Sequence, residues 1–358
     1  MHRDHTVGVV VPAYNEAGFV GDVILEMPAF VDRIYVVDDA STDDTWEEVL
    51  EAARRDQGRL TERETELERI DSSSRGVATD GGGLLAERAA VHSRIGRVVP
   101  IQHDENRGAG GAIKTGYLAA LDDGVEITVT VDGDGQMDTE LLPRFLDPIV
   151  EGTADYVKGN RLLYKEYRRE MSKWRFLGNS ILTFLTKIAS GYWKMMDPQN
   201  GYTAISKYAL ENVAIADMYE YYGYCNDLLV KLNAKGMRVA DVAMPAKYGD
   251  EQSHITYSTY IRKVSFMLLR NFLWRLKVRY LVLDFHPLAL FYYFGAVTSA
   301  LGLVGGVWSV YVWTVFGHSL FVRGSLSLLL FITGSMFLMF AMLFDMQANE
   351  DREVQIYD

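Results

Sequence analysis

The sequence predicts an α/β protein that carries two membrane-spanning helices near its C-terminal end. Three observations carry that prediction. Short, continuously apolar runs alternate with helical patterns up to about residue 250, the signature of a parallel sheet covered on both faces. One apolar strand ends in an Asp-x-Asp pair, Asp132 and Asp134. Charge then disappears: no Asp, Glu, Lys or Arg lies between Phe285 and Val322 or between Gly324 and Phe344. The 358 residues are 49% hydrophobic and carry a formal charge of −12, so most of the acidity belongs to the residues before the charge-free segments. The length allows two domains, or one catalytic domain with an attachment. That acidic balance argues against a nucleic-acid partner, whose phosphates need Lys and Arg. A single cysteine, Cys225, excludes an internal disulfide and fits a reducing compartment.

In order along the chain, strands are expected at Val7–Val11, Arg33–Val37, Arg97–Gln102 and Glu126–Val131, with helices at Glu16–Glu26, Asp44–Arg55 and Gly110–Asp122. The N-terminus is polar and has no secretory apolar region, so it is expected to stay uncleaved. Residues 56–96 are charged and then Ser/Gly-rich. They read as an inserted surface segment and disordered loop, which can begin as an extension of the preceding helix. The catalytic domain is expected over 1–257, an amphipathic basic region over 258–284, two spans within 285–346 and a cytoplasmic tail over 347–358.

The basic region holds Arg262, Lys263, Arg270, Arg275, Lys277 and Arg279 among apolar residues. The apolar segments Pro287–Phe316 and Leu326–Phe344 each suffice to cross a ~30 Å hydrocarbon core, which takes about 20 helical residues. Tyr292, Tyr293, Trp313 and Phe316 suit an aromatic belt. A buried hairpin in a soluble core is the alternative. The six bases before the first span place that side in the cytoplasm. Two spans return the tail to the same side, which predicts a two-span cell-membrane protein with its catalytic part cytoplasmic.

The chemistry concentrates in four segments. Val129-Thr-Val-Asp132-Gly-Asp134-Gly-Gln136 presents two carboxylates at a strand's carboxyl edge, where open α/β sheets bind ligands. Such hard oxygens suit Mg²⁺ or Mn²⁺ facing a diphosphate. An EF-hand is excluded, since Met137 stands where its loop needs Gly and Pro143 where it needs Glu. Val9-Val-Val-Pro12-Ala-Tyr14-Asn15-Glu16 is a strand-to-helix turn in which Asn15 can cap the helix; Tyr14 and Glu16 can face a base and ribose, or the turn is structural. Val36-Val-Asp38-Asp39-Ala-Ser41-Thr-Asp43 repeats the pattern, with binding by the acids or helix capping by Ser41 or Thr42 as its two uses. Asn106-Arg-Gly108-Ala-Gly110-Gly111-Ala-Ile113 fails the dinucleotide fingerprint at Ile113. It serves either a phosphate at a helix N-terminus or close helix–sheet packing.

In series, these motifs resemble glycosyltransferase family 2, whose GT-A fold binds nucleotide sugars. Lys158-Gly-Asn-Arg161, Asp197-Pro-Gln-Asn-Gly201-Tyr-Thr-Ala and Tyr248-Gly-Asp-Glu-Gln-Ser253 are similar to the polyprenyl-phosphate glycosyltransferase branch. The resemblance covers about residues 6–257. It implies a nucleotide pocket lined by Pro12, Tyr14, Glu16 and Asp39, metal and diphosphate held by Asp132, Asp134 and Gln136, and acceptor phosphate bound by Arg161. Arg168, Arg169, Lys173 and Arg175 are placed to clamp a lipid phosphate or to lie on a solvated or headgroup-binding helix. The implied reaction is an inverting transfer of a hexose from a GDP- or UDP-linked sugar to polyprenyl (dolichyl) phosphate. Membrane lipids are the surrounding partner and a homo-oligomer is possible.

A phosphomonoester has a second pKa near 6 and is nucleophilic at neutral pH, whereas a sugar hydroxyl needs a base. Asp227, in Tyr224-Cys-Asn226-Asp227, lies where relatives that use hydroxyl acceptors carry Glu-Asp. It is either a general base for a lipid-linked glycan or a positioning acid. A non-catalytic sugar-nucleotide-binding subunit is the third reading, opposed by the intact Asp132/Asp134 pair.

Overall fold

A computed structural model describes residues 1–67, 83–162, 173–245 and 257–356. The strands are β1 (Val7–Ala13), β2 (Arg33–Asp38), β3 (Ala90–Val91), β4 (Val98–Gln102), β5 (Ile127–Thr130), β6 (Tyr156–Asn160), β7 (Thr203–Ser206), β8 (Val239–Ala243) and β9 (Glu353–Ile356). They form one mixed sheet in the order β3-β4-β2-β1-β5-β7-β6-β8-β9. β4, β2, β1 and β5 run parallel, as do β6, β8 and β9. β7 is antiparallel to both β5 and β6, so the two parallel groups point the same way and present their carboxyl ends along one edge.

The alternation within β1 shows why the sheet is covered twice. Val7, Val9 and Val11 face a core shared with α1 (Val20–Glu26), α2 (Thr45–Leu67) and α4 (Leu142–Val150). Val10 faces the other core, with α3 (Ala109–Asp122), α6 (Lys207–Asn212) and α7 (Tyr224–Ala234). A side chain at Gly116 would collide with Val10, so that glycine lets α3 lie close on the strand.

The early strands and α3 fall within a residue or two of expectation. α1 begins later, at Val20, because Asn15 (φ 56°) and Gly18 (φ 90°) hold the preceding turn in left-handed conformations. Asn15 does not cap it; Glu48 of α2 instead accepts the Gly18 and Gly21 amides. α2 is capped by Asp43, which accepts the Thr45 amide, rather than by Ser41 or Thr42. The 56–96 segment starts as the allowed extension of the preceding helix, since α2 runs on to Leu67, and residues at and beside its two ends are buried. Asp56 and Arg97 form a buried bidentate pair at 2.9 Å, and Leu85 and Ala89 join the core just before β3.

After β8 come α8 (Tyr257–Lys277), α9 (Leu288–Phe316) and α10 (Phe321–Asn349). α9 and α10 are 29 residues each, long and apolar enough to cross a membrane. They pack through Gly295, Gly302 and Gly334, where added methyls would strike the facing backbone. Two of the six juxtamembrane bases do not face headgroups. Arg275 is fully buried against Asp345 at 2.7 Å, and Arg279 donates to Asn233 Oδ1 at 2.7 Å. Arg262, Lys263, Arg270 and Lys277 are exposed. Tyr292 likewise leaves the aromatic belt and packs edge-on against Phe272 at 5.0 Å, while Tyr293, Trp313 and Phe316 are exposed. The tail is not free: it returns from α10 as β9, paired in parallel with β8.

Candidate active site

The shared carboxyl edge gathers the sequence motifs. Pro12 and Asp38 end β1 and β2, Asp132–Gln136 follows β5, and Arg161 follows β6. β7 runs the other way, so its first residues sit at this edge too, with Thr203 opposite Thr130. Gly201 therefore stands beside Asp132. A methyl on Gly201 would lie 3.2 Å from Asp132 Oδ2 and 3.2 Å from the Tyr224 hydroxyl. Gly133 backs onto Pro12, whose carbonyl accepts the Gly133 amide at 3.2 Å. Glycine at 201 thus keeps side-chain bulk away from the Asp132 carboxylate.

Asp132, Asp134 and Gln136 are all half-buried. Burial pushes the Asp134 carboxyl above the usual range, against the Gln136 amide, which donates to it at 2.9 Å. Among the described residues there is no cluster of three or more His, Cys, Asp or Glu side chains able to hold a metal. Two carboxylates and an amide oxygen still suit Mg²⁺ or Mn²⁺, which take one or two protein carboxylates and complete their shell with substrate phosphate and water. A glycine, rather than a larger residue, beside the Asp132 carboxylate is consistent with that arrangement.

The expected nucleotide-pocket residues divide. Tyr14 is exposed and Glu16 half-buried at the edge. Asp39 departs from expectation, being 3% exposed. Its Oδ1 accepts the Arg107 amide at 2.8 Å and lies 2.6 Å from His103 Nδ1, and its Oδ2 accepts the Gly108 amide at 2.8 Å. Both carboxylate oxygens of Asp39 are therefore already engaged within the protein. The glycines that follow serve close packing rather than phosphate. A methyl on Gly110 would lie 2.5 Å from the Tyr219 carbonyl, and the Gly111 amide donates to the Glu220 carbonyl at 2.8 Å. Glu220 itself is held by Arg88 and Lys114 at 2.7 and 2.8 Å. Burial works to raise its carboxyl, but those two bases hold it below the usual range.

Arg161 is aimed by Asp197. Its Nε donates to Asp197 Oδ2 at 2.7 Å and its Nη2 to Oδ1 at 3.0 Å, while the guanidinium stays partly exposed. Asp197 is fully buried; burial acts to raise its pKa, and Arg161 with Lys158 overcomes this and lowers it. Lys158 is itself fully buried, 2.7 Å from Asp241, and donates to the Met196 and Asp197 carbonyls.

Asp227 is buried and engaged on both oxygens. Oδ2 accepts the Tyr219 amide at 3.0 Å and Lys231 Nζ at 2.7 Å, and Oδ1 accepts Asn271 Nδ2 at 2.6 Å. These partners give it a structural use tying α7 to α8 and to the 219–221 segment. Arg168, Arg169 and Tyr248–Ser253 lie outside the described residues. So do the side chains of Lys173 and Arg175, whose backbone opens α5 (Lys173–Ser190).

His103, Asp241, Glu220 and Glu353 were not anticipated, and Lys158 was noted only as part of the Lys158-Gly-Asn-Arg161 motif, with no role given to it. Lys158 had one signal, a lysine inside the otherwise apolar strand Tyr156-Val-Lys. Glu353, in the middle of the expected 347–358 tail, had none.

The profile of Glycosyl transferase family 2 matches residues 8–69 and 77–214, more than half of the chain. The chain belongs to glycosyl transferase family 2. It is a glycosyltransferase with the family's α/β, GT-A architecture. A UDP-N-acetylglucosamine–dolichyl-phosphate N-acetylglucosaminyltransferase of Methanococcus voltae is 26% identical over 246 residues, 68% of this chain and 87% of that protein. An uncharacterised protein of Methanocaldococcus jannaschii is 26% identical over 242 residues, 67% of this glycosyltransferase and 81% of its relative. A solved structure of glucosyl-3-phosphoglycerate synthase from Mycobacterium tuberculosis with UDP shares 18% identity at a TM-score of 0.47, covering 76% of this chain and 80% of that one.

Proposed function

We propose that this glycosyltransferase moves a sugar from a nucleoside-diphosphate sugar to a polyprenyl phosphate such as dolichyl phosphate, with inversion at the anomeric carbon. The observation that carries this reading is the state of Asp227. A carboxylate that already accepts from an ammonium, a backbone amide and a side-chain amide is poorly placed to take a proton from a sugar hydroxyl. A phosphate acceptor needs no such base. The Methanococcus voltae relative, by its name, uses UDP-N-acetylglucosamine and dolichyl phosphate. This favours a UDP-linked donor and widens the expected hexose to include its N-acetylamino form.

In this reading Asp132, Asp134 and Gln136 hold Mg²⁺ or Mn²⁺, which supplies charge neutralisation for the leaving diphosphate. Pro12, Tyr14 and Glu16 line the nucleotide side, and Asp39 fixes the wall behind it. Arg161, aimed by Asp197, receives the acceptor phosphate, so that donor and acceptor meet in line at one sheet edge. Membrane attachment supports a lipid acceptor. Besides α9 and α10, α8 exposes Phe266, Leu269, Leu273 and Trp274, and α5 exposes Ile181 and Phe184, apolar faces suited to an interface. The α10 end of the hairpin leads into β9 of the catalytic sheet, and by the positive-inside rule the exposed bases of α8 favour the cytoplasm for that side.

The test is a pair of variants assayed with labelled nucleotide sugar and polyprenyl phosphate. Asp134→Ala abolishes labelled lipid, whereas Asp227→Asn retains turnover. Loss in both, with Asp227→Asn still folded, would move the acceptor to a hydroxyl.

A further inference from the structure

The strand that closes the sheet arrives from the far end of the membrane hairpin. β9 follows α10 after one 3-10 turn, Glu350–Arg352, and its first side chain reaches into the Gly191–Gly201 loop. Glu353 Oε1 accepts the Trp193 amide at 2.8 Å, and Oε2 accepts the Lys194 and Met195 amides at 2.6 and 3.0 Å. The next amide, Met196, donates to Asp241 of β8 at 2.8 Å. The residue after that is Asp197, which grips Arg161. Successive amides turned towards one carboxylate form the kind of concavity that binds anions; here the chain fills it with its own acid, 160 residues away along the sequence.

Between Ser190 and Thr203 the chain has neither helix nor strand, so side chains set its conformation. The loop's first half hangs from Glu353, Asp241 and Lys158. Its second half is held differently: Asn200 Oδ1 accepts the Tyr202 amide at 3.0 Å, and β7 then pairs with β5 beside Asp132.

We propose that Glu353 is a positioning residue for the acceptor. Its carboxylate sets Trp193–Met195, that segment sets Asp197, and Asp197 sets the direction of the Arg161 guanidinium. Because α10 delivers Glu353, the same contact ties the seat of the hairpin to the place where the lipid phosphate is received. This inference rests on the acceptor role given to Arg161 above. Glu353→Gln keeps the side chain's size but turns an NH2 towards backbone N–H groups, donor against donor. The first half of the loop loosens while the Gly201–Thr203 side, and with it the donor groove, keeps its own supports.

The test uses the full-length protein in phosphatidylcholine–phosphatidylglycerol nanodiscs. KM and kcat are measured separately for polyprenyl phosphate and for the nucleotide sugar, alongside amide hydrogen exchange. Glu353→Gln is expected to raise the acceptor KM about tenfold while the donor KM stays within about twofold, as a misaimed phosphate contact requires. Exchange at residues 193–197 is expected to quicken while β8 stays protected. Glu353→Asp, which keeps the charge, restores part of the acceptor KM. Unchanged acceptor KM, or an equal rise in both KM values with protection lost throughout the sheet, would overturn the proposal. If the wild type labels no polyprenyl phosphate, the acceptor reading fails by itself, and exchange at 193–197 still decides whether Glu353 holds the loop.

Discussion

The half of the edge proposed above for the donor, built from β1, β2, β4 and β5, and the half proposed for the acceptor, built from β6, β8, β9 and the loop over 191–201, are held by different means. In the donor half each polar group is supplied by its own strand end: Asp132 and Asp134 leave β5, and backbone hydrogen bonds with glycine clearances hold them. In the acceptor half the chemistry sits on a loop suspended by acids and bases from three strands, with Lys158, Asp241 and Glu353 buried beneath it. The first carries two half-buried carboxylates, Asp132 and Asp134, on one strand end. The second uses Asp241 and Glu353 to hold its loop and Asp197 to hold the Arg161 guanidinium.

The junction beneath the acceptor half offers the harshest way to break this contrast. Arg275→Met strands Asp345, fully buried, and is expected to cost about 3–5 kcal/mol, whereas Arg275→Met with Asp345→Leu recovers most of it. Thermal unfolding in detergent measures both. On the donor side Asp134→Ala is expected to lower turnover about 10²–10³-fold, the loss typical of a group that stabilises developing charge, with little change in melting because the residue is half-buried. Steady-state assay with saturating divalent cation reads it. A subtler probe of the same groove is Gly201→Ala. Its methyl falls 3.2 Å from Asp132 Oδ2 and is expected to reduce turnover about tenfold by displacing the carboxylate, without loss of fold. The smallest effect is expected from Asp227→Asn: about 1–2 kcal/mol of stability from weakened bonds to Lys231 and Tyr219, with turnover to polyprenyl phosphate nearly unchanged. A turnover loss as large as that of Asp134→Ala would erase the distinction between the two halves.

The same contrast explains what could be read from sequence. Strands β1, β2, β4 and β5, the Asp132/Asp134 pair and both apolar spans were legible because each is encoded within a dozen or so neighbouring residues. Asp39 was found but its engagement was not: its partners, the Arg107 and Gly108 amides, lie 68 and 69 residues on. The burial of Asp56, which opens the 56–96 segment, escaped because it and Arg97, just past the segment, look like ordinary surface charges until they meet. β9 was invisible for a related reason. A four-residue strand after an apolar helix has no periodicity to betray it, and Glu353 acquires its function only from amides far away in sequence.

The central claim is transfer to a lipid phosphate through the Asp132/Asp134 groove. Its most direct test is incubation of membranes containing the full-length protein with a panel of labelled UDP- and GDP-sugars and polyprenyl phosphate, followed by identification of the labelled lipid. The account predicts a divalent-cation-dependent polyprenyl-phosphate sugar, formed from a UDP-linked donor and absent with Asp134→Ala. Label appearing only in a lipid-linked glycan, joined through a sugar hydroxyl, would contradict it.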